Sequence, residues 1–395
     1  MRVLVVTESF APSVNGVARS VTTVVRELSR RGHRVTIVAP GPGPEVFEGL
    51  RVVRVQSVRL PGLRQFPVGL PTRTVEDAVA TIRPDVVHLA SPFVLGGPAA
   101  SAAVRLGIPV VAIYQTDVAG FASQYRLGAA GRAAWRRLRT LHARADVTLA
   151  PSTSAIADLH AAGIGDVHLW PRGVDVDAFA PGHRTRPAAG GARPVRIGYV
   201  GRLAREKQLD RLDGLDRLPG AELVVVGDGP VRDRLARRLP GATFTGSLQG
   251  TELSRAYADL DVFVHPGEHE TFCQAVQEAL ASGVPVVAPA AGGPRDLVEP
   301  DVNGLLFDPS VRDPGAALRS AVARLVADDV LRARLAAAAR SSVRHRTWAA
   351  VVDDLELQYR TVADRAARRH GDAAPGARSV VDAIDDRRAP DRVAA

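Results

Sequence analysis

The sequence predicts an α/β protein of two doubly wound, parallel-sheet domains that face one another across a cleft. Three observations carry this expectation. Short apolar runs alternate with helical periodicity, the pattern of parallel strands joined by right-handed crossovers. That pattern stops at a stretch rich in Pro, Gly and charge (171–194) and then starts again. The length, 395 residues, exceeds one ordinary domain and suits two.

The first half opens with RVLVV (2–6), read as a strand, followed by a loop and a helix from Val17 to Arg31. Further strands are expected at 34–39, 86–89, 109–113 and 147–150, with helices between them. Residues 171–194, PRGVDVDAFAPGHRTRPAAGGARP, read as the interdomain connection. Strands recur at 195–201, 222–230, 261–267 and 284–289. An interrupted helix is expected from about Ala316 to Arg346, and another from Thr347 to Arg368. Small and charged residues after 369 predict an unstructured tail. The first domain is thus expected over 1–178 and the second over 179–347.

Composition narrows the class. Hydrophobic content of 46% with 24% charged residues suits globular domains with real cores. No apolar run reaches the 18 residues or so of a membrane-spanning helix. No signal peptide is read ahead of RVLVV. One cysteine, Cys273, excludes a disulfide framework and a cysteine-built zinc site, and a cytoplasmic location is expected. Residues 1–170 carry 19 arginines against 11 acids, whereas the remainder is nearly balanced at 32 basic against 31 acidic. A basic first half fits nucleic acid, an anionic membrane, an anionic substrate or plain solubility.

In doubly wound sheets ligands bind at the carboxyl ends of the strands. The first turn, TESFAPSVNGVARS, lacks G-x-G-x-x-G, and GDGPVR (227–232) has Arg232 where the third glycine would stand. A nicotinamide-dependent oxidoreductase is therefore not expected. Lys207 is the only lysine, and Glu206 precedes it, so there is no P-loop. Arg202 and Lys207, in GRLAREKQLD (201–210), share the first turn of the second sheet. A guanidinium fork and a mobile ammonium together suit a diphosphate. The facing stretch is GEHETFCQAVQEALASGVP (267–285). Glu270 precedes a helix expected to start near Phe272, and Glu278 lies two turns inside it. The free N–H groups of Thr271, Phe272, Cys273 and Gln274 would point at an anion. A carboxylate there suits sugar hydroxyls. The plain alternatives are an acid at a helix start for Glu270 and a solvated helix charge for Glu278. The glycines of AAGGPRDL (290–297) offer further amides nearby.

These motifs, in this order, resemble the family-4 retaining glycosyltransferases of GT-B architecture. The resemblance rests on E-x7-E (Glu270, Glu278), G-R-x4-K (Gly201, Arg202, Lys207) and the loop PSVNGVA with Asn15 and Gly16. It covers about residues 1–368. It implies that Arg202 and Lys207 hold the donor diphosphate, Glu270 the sugar hydroxyls and Glu278 the ribose. It also implies a last helix, around Trp348 (about 348–368), that crosses back to the first domain. YQTDVAGF (114–121), with ETFCQAVQEALASGVP, is similar to actinobacterial GDP-mannose-dependent α-mannosyltransferases acting on membrane glycolipids. On that resemblance Arg202, Lys207 and Glu270 are the catalytic groups. Asn15, Gly16, Gln115, Thr271, Phe272, Cys273, Gln274 and Glu278 join them in binding the donor. Gln115 stands where many members carry histidine, and it cannot titrate. Asp117 is the nearest carboxylate on the acceptor side, or it caps the following turn.

The implied reaction is same-face transfer with retention, with no cofactor and no metal. Asp175-Val-Asp177 has the D-x-D form of metal-dependent transferases but lies in the connection, and it is not expected to bind metal. The expected partners are a nucleotide-sugar donor and a lipid or glycolipid acceptor at an anionic membrane. The protein is then peripheral on the inner face of the cell membrane. Two other classes remain open: a nucleotide-sugar 2-epimerase of similar fold, and a basic nucleic-acid-binding protein. Against the latter, aromatic content is 5% and no nucleic-acid-reading motif is visible. Residues 124–145 carry Arg126, Arg132, Arg136, Arg137, Arg139 and Arg144 with no acid. As a helix they would align Trp135, Leu138 and Leu141, either in the core or as an interfacial stripe.

Overall fold

The computed structural model describes residues 1–13, 15–58, 68–115, 128–187 and 193–372. The first sheet comprises β1 (Arg2–Thr7), β2 (Arg34–Pro40), β3 (Val46–Phe47), β4 (Leu50–Val55), β7 (Val86–Ala90), β8 (Val110–Ile113), β9 (Val147–Ala150) and β10 (Val167–Leu169). Between β4 and β7 lies a small antiparallel pair, β5 (Ser57–Val58) and β6 (Val68–Gly69). The strand order is β10-β9-β8-β7-β1-β2-β4-β3, parallel except for β3 against β4. The second sheet comprises β11 (Val195–Val200), β12 (Ala221–Val226), β13 (Thr243–Gly246), β14 (Val262–Val264), β15 (Val286–Pro289) and β16 (Gly304–Phe307). Its order is β13-β12-β11-β14-β15-β16, and every pair is parallel.

Both sheets are covered on two faces, which is why their central strands read as unbroken apolar runs. Along β1, Val3 and Val5 face one core with Ile37, while Leu4 and Val6 face the other with Val38. The helix Gly16–Arg30 buries Val21, Val24, Val25 and Leu28, a stripe at spacings of three and four. In the second sheet Ile197 and Tyr199 pack towards Leu318 and Val322, and Phe263 packs towards Val276 and Leu280.

The expected strands are present. β3, β5, β6 and β10 were not anticipated, and each is only two or three residues long. β4, β13 and β16 were also missed. The helical stretch before Arg346 divides at Asp328, whose carboxylate accepts from the N–H of Leu331 at 2.8 Å and starts the second segment. The last helix runs from Trp348 to Asp372, and the residues beyond lie outside those described. Val351, Val352, Leu355 and Tyr359 pack into the same core as Val3 and Ile37, so this helix closes the first domain.

The connection after residue 171 is not an open tether. Val174 pairs with Thr347, and its N–H donates to the carbonyl of Arg346 at 2.9 Å. The outgoing and returning segments thus cross side by side. A Cβ on Gly173 would lie 2.6 Å from the Trp348 Cα, so the crossing requires glycine.

Candidate active site

The carboxyl edge of the second sheet assembles the site. β11 ends at Val200, and the turn after it carries Arg202 and Lys207. The loop after β14 carries His265, Glu268 and Glu270. Lys207 Nζ donates to Glu270 Oε1 at 2.5 Å, and His265 Nε2 lies 3.4 Å from the same oxygen. These Lys207 and Glu270 side chains retain 26% and 17% exposure, so the pair faces the cleft. Burial alone would raise the Glu270 carboxyl. The Lys207 charge and the His265 contact outweigh it and hold the group well below the usual carboxylate range. Burial would equally lower Lys207, but Glu270 raises it. The pair is fully ionised at neutral pH. Arg202 sits at the mouth, with Nη1 3.7 Å from Glu206 and its carbonyl accepting from the Tyr199 hydroxyl at 3.1 Å.

His265, Glu270 and Cys273 bring possible metal-ligand atoms within 4.8 Å of one another. The Lys207 ammonium already sits on the Glu270 oxygen of that set. A protein cation therefore takes the position where a metal would need its carboxylate.

The loop that holds Glu270 is wedged by backbone packing. Gly293 donates its N–H to the Glu270 carbonyl at 2.7 Å. A Cβ on Gly293 would come within 2.2 Å of the Phe272 carbonyl oxygen. Cys273 adopts φ 79°, a left-handed conformation rare for a side chain, and the helix Gln274–Ala281 begins immediately after it. The helix thus starts two residues later than expected. The Phe272 and Cys273 side chains are buried in the apolar core, so only their backbone remains for a ligand.

Glu278 is buried, not solvated. It accepts from the Tyr257 hydroxyl at 2.9 Å and lies 4.0 Å from Arg19 of the first domain. Burial pushes its carboxyl up to about 7, against the opposing pull of Arg19 and Tyr257.

The first domain meets this edge directly. Asn15 Oδ1 accepts from Ala18 N at 2.9 Å and caps the helix whose first residue is Gly16. Thr271 Oγ1 donates to the Gln115 carbonyl at 3.0 Å, across the cleft. The Gln274 amide donates to the Gly173 carbonyl at 3.0 Å, which leaves it tied to the crossing. Asp117 and Arg126 lie outside the described residues. Asp175 Oδ1 accepts from the N–H groups of Asp177 (3.1 Å) and Ala178 (2.9 Å), so the D-x-D sequence forms a turn.

The helix Gly128–His142 decides between the two readings of its apolar stripe. Leu138 and Leu141 are buried, and Trp135 stacks against Tyr114 at 6.3 Å. The apolar stripe is core, not an interfacial face. Arg132, Arg136, Arg137, Arg139 and Arg144 are exposed around it.

Sequence reasoning missed His265, Arg19, Tyr257 and Arg172. His265 carried a usable signal, since it follows β14 directly at the ligand edge. The others act through tertiary placement that no local pattern marks.

Residues 14–178 match the family model Glycosyltransferase Family 4, and residues 190–342 match Glycosyl transferases group 1. The chain is 50% identical over 379 residues to the GDP-mannose-dependent alpha-mannosyltransferase of Mycolicibacterium smegmatis, covering 93% of this chain and 100% of that protein. It is 28% identical over 340 residues to the GDP-mannose-dependent alpha-(1-6)-phosphatidylinositol dimannoside mannosyltransferase of Mycobacterium tuberculosis, covering 82% of this chain and 88% of that one. The solved structure of sucrose-phosphate synthase from Thermosynechococcus elongatus matches with a TM-score of 0.74 at 21% identity, over 91% of this chain and 99% of that one. That likeness is one of fold, two facing parallel-sheet domains of the GT-B kind. With the motifs, the fold and a relative matched along its whole length in agreement, the chain belongs to glycosyltransferase family 4 and is a hexosyl-transferring enzyme of GT-B fold.

Proposed function

We propose that this chain transfers mannose from GDP-mannose, with retention and α-linkage, to a lipid-linked glycolipid acceptor at an anionic membrane surface. The supporting observation is the partly buried Lys207–Glu270 pair at the ligand edge, in a chain half identical to a GDP-mannose-dependent mannosyltransferase. Arg202 and Lys207 bind the diphosphate and neutralise the charge that develops on it as the bond to the sugar breaks. Glu270 accepts from sugar hydroxyls, and Glu278 from the ribose. Asn15, Gly16, Gln115 and the backbone of Thr271–Gln274 complete the donor site, and the family resemblance gives Asp117 a role on the acceptor side. The anomeric carbon–phosphate oxygen bond breaks while the acceptor hydroxyl attacks from the same face. Its proton passes to the departing phosphate oxygen. No metal or other cofactor takes part, since the cations come from the protein. The enzyme works in the cytoplasm, peripherally bound to the inner face of the membrane.

The test is incubation of the purified protein with membranes and labelled GDP-mannose, UDP-glucose or UDP-GlcNAc, with and without EDTA, followed by lipid extraction. Label is expected in lipid from GDP-mannose alone, unchanged by EDTA. Transfer from a UDP-sugar, or loss with EDTA, overturns the donor or the metal-free reading respectively. Release of an epimerised sugar without acceptor would favour the epimerase. Membrane docking is supported by the exposed arginines of helix Gly128–His142. Co-sedimentation with anionic vesicles should fall with salt and in an Arg136/Arg137/Arg139→Ser variant. Equal binding to zwitterionic vesicles overturns it.

A further inference from the structure

Arg172 stands at the crossing between the domains, and its charge is buried with 7% exposure. Its guanidinium contacts only neutral oxygens: the Gly16 carbonyl at 3.4 Å, the Gln115 carbonyl at 3.5 Å and Gln115 Oε1 at 3.2 Å. These are long contacts for a charged donor. Its Nε has no partner at all. Among the described residues Arg172 forms no ion pair, and the nearby Glu270 is already held by Lys207. Taking a guanidinium out of water without a counter-charge is costly. The fold nevertheless fixes it firmly. Gln277 donates to the Arg172 carbonyl at 3.1 Å, and Gln274 holds the next carbonyl, that of Gly173. Both glutamines belong to the helix Gln274–Ala281 of the second domain.

The surroundings identify what is missing. The 15-residue helix Gly16–Arg30 begins beside Arg172, and its first N–H groups favour an anion there. Gln115 accepts from Arg172 there, and the charge of Glu270, the partner of Lys207, is felt at the guanidinium. A rigidly placed cation with spare N–H groups, next to a helix start, is a preformed receptor for phosphate oxygens.

We propose that Arg172 is a third cation of the donor-diphosphate site, reaching the leaving group from the interdomain crossing. This rests on the donor reading above and adds a residue to it. Because Arg172 is anchored from the second domain and touches Gly16 and Gln115 of the first, the incoming anion also ties the two domains together.

The experiment is calorimetry with GDP and with guanosine, no acceptor present, on wild type, Arg172→Lys and Arg172→Gln, with melting temperatures measured in parallel. Arg172→Gln should weaken GDP by about 10- to 100-fold while guanosine binding stays unchanged. Arg172→Lys should fall between the two, as it keeps the charge and loses the fork. If GDP affinity survives in Arg172→Gln, the assignment is wrong while the donor reading stands. If GDP and guanosine weaken alike, Arg172 is only a structural tie, and the assignment is again wrong. Should Arg172→Gln not fold, Arg172→Lys decides, since it must still separate GDP from guanosine. If wild type prefers UDP to GDP, the guanine reading falls, and the same comparison runs between UDP and uridine.

Discussion

Lys207 and Glu270 neutralise one another at the ligand edge, so a bound donor must share or replace that contact. Lys207→Ala should lower kcat/KM by roughly 10²–10³, the loss of one strong electrostatic contact to a developing anion. Lys207→Arg should be only partly active, because the fork is bulkier and the site was built round a compact ammonium. Steady-state rates with GDP-mannose decide, and a fully active arginine variant would remove Lys207 from the site. Glu278 gives a pH signature. Its folded value, about 7, lies above the ordinary 4.5. Below 4.5 the carboxyl is neutral in both states. As pH rises from there to about 7, the unfolded chain ionises first and stability falls, by at most about 3 kcal/mol. Glu278→Gln should abolish that component. Denaturant titrations of both proteins across this window check it, and parallel pH profiles would refute it.

At the scale of elements, the Glu270 loop is positioned by a glycine wedge as well as by the buried Phe272 and Cys273 side chains. Gly293→Ala should push the Phe272 carbonyl away, cost about 1–3 kcal/mol and displace Glu270. A lowered melting temperature with weakened donor binding is expected, and an unchanged protein would show that the wedge is slack. The sequence announced AAGGPRDL as glycine-rich but not what its glycines touch, because the contact of Gly293 with Phe272 joins residues far apart in sequence on different loops. The same limit explains the rest of what was hidden. Strands such as VVAI (110–113) and VVAP (286–289) were legible, since burial on both faces leaves an unbroken apolar run. β3, β5 and β6 have no room for any periodicity. Glu270, Lys207 and Arg202 were legible because turn position places them at the ligand edge. Arg172 was hidden inside a stretch whose proline and glycine read as linker, and Glu278 was legible as a ligand group but not as a buried one.

At the scale of the molecule, the last helix is a structural part of the first domain. Val352→Asp would bury an unpaired carboxylate beside Val3 and Ile37 and should unfold that domain selectively, by more than about 3 kcal/mol. Calorimetry should show one transition shifted down and the other retained; a common shift of both would mean that the domains unfold as one. The helix Trp348–Asp372 also sets an order of events during translation. Chains generally fold from the N-terminus as they leave the ribosome. Here the nascent first domain lacks Val351, Val352, Leu355 and Tyr359 until the whole second domain has been made. The second domain, continuous between the two crossing segments, emerges complete while its predecessor still has an open apolar groove. Synthesis therefore completes the donor side before the segment that seals the other has emerged.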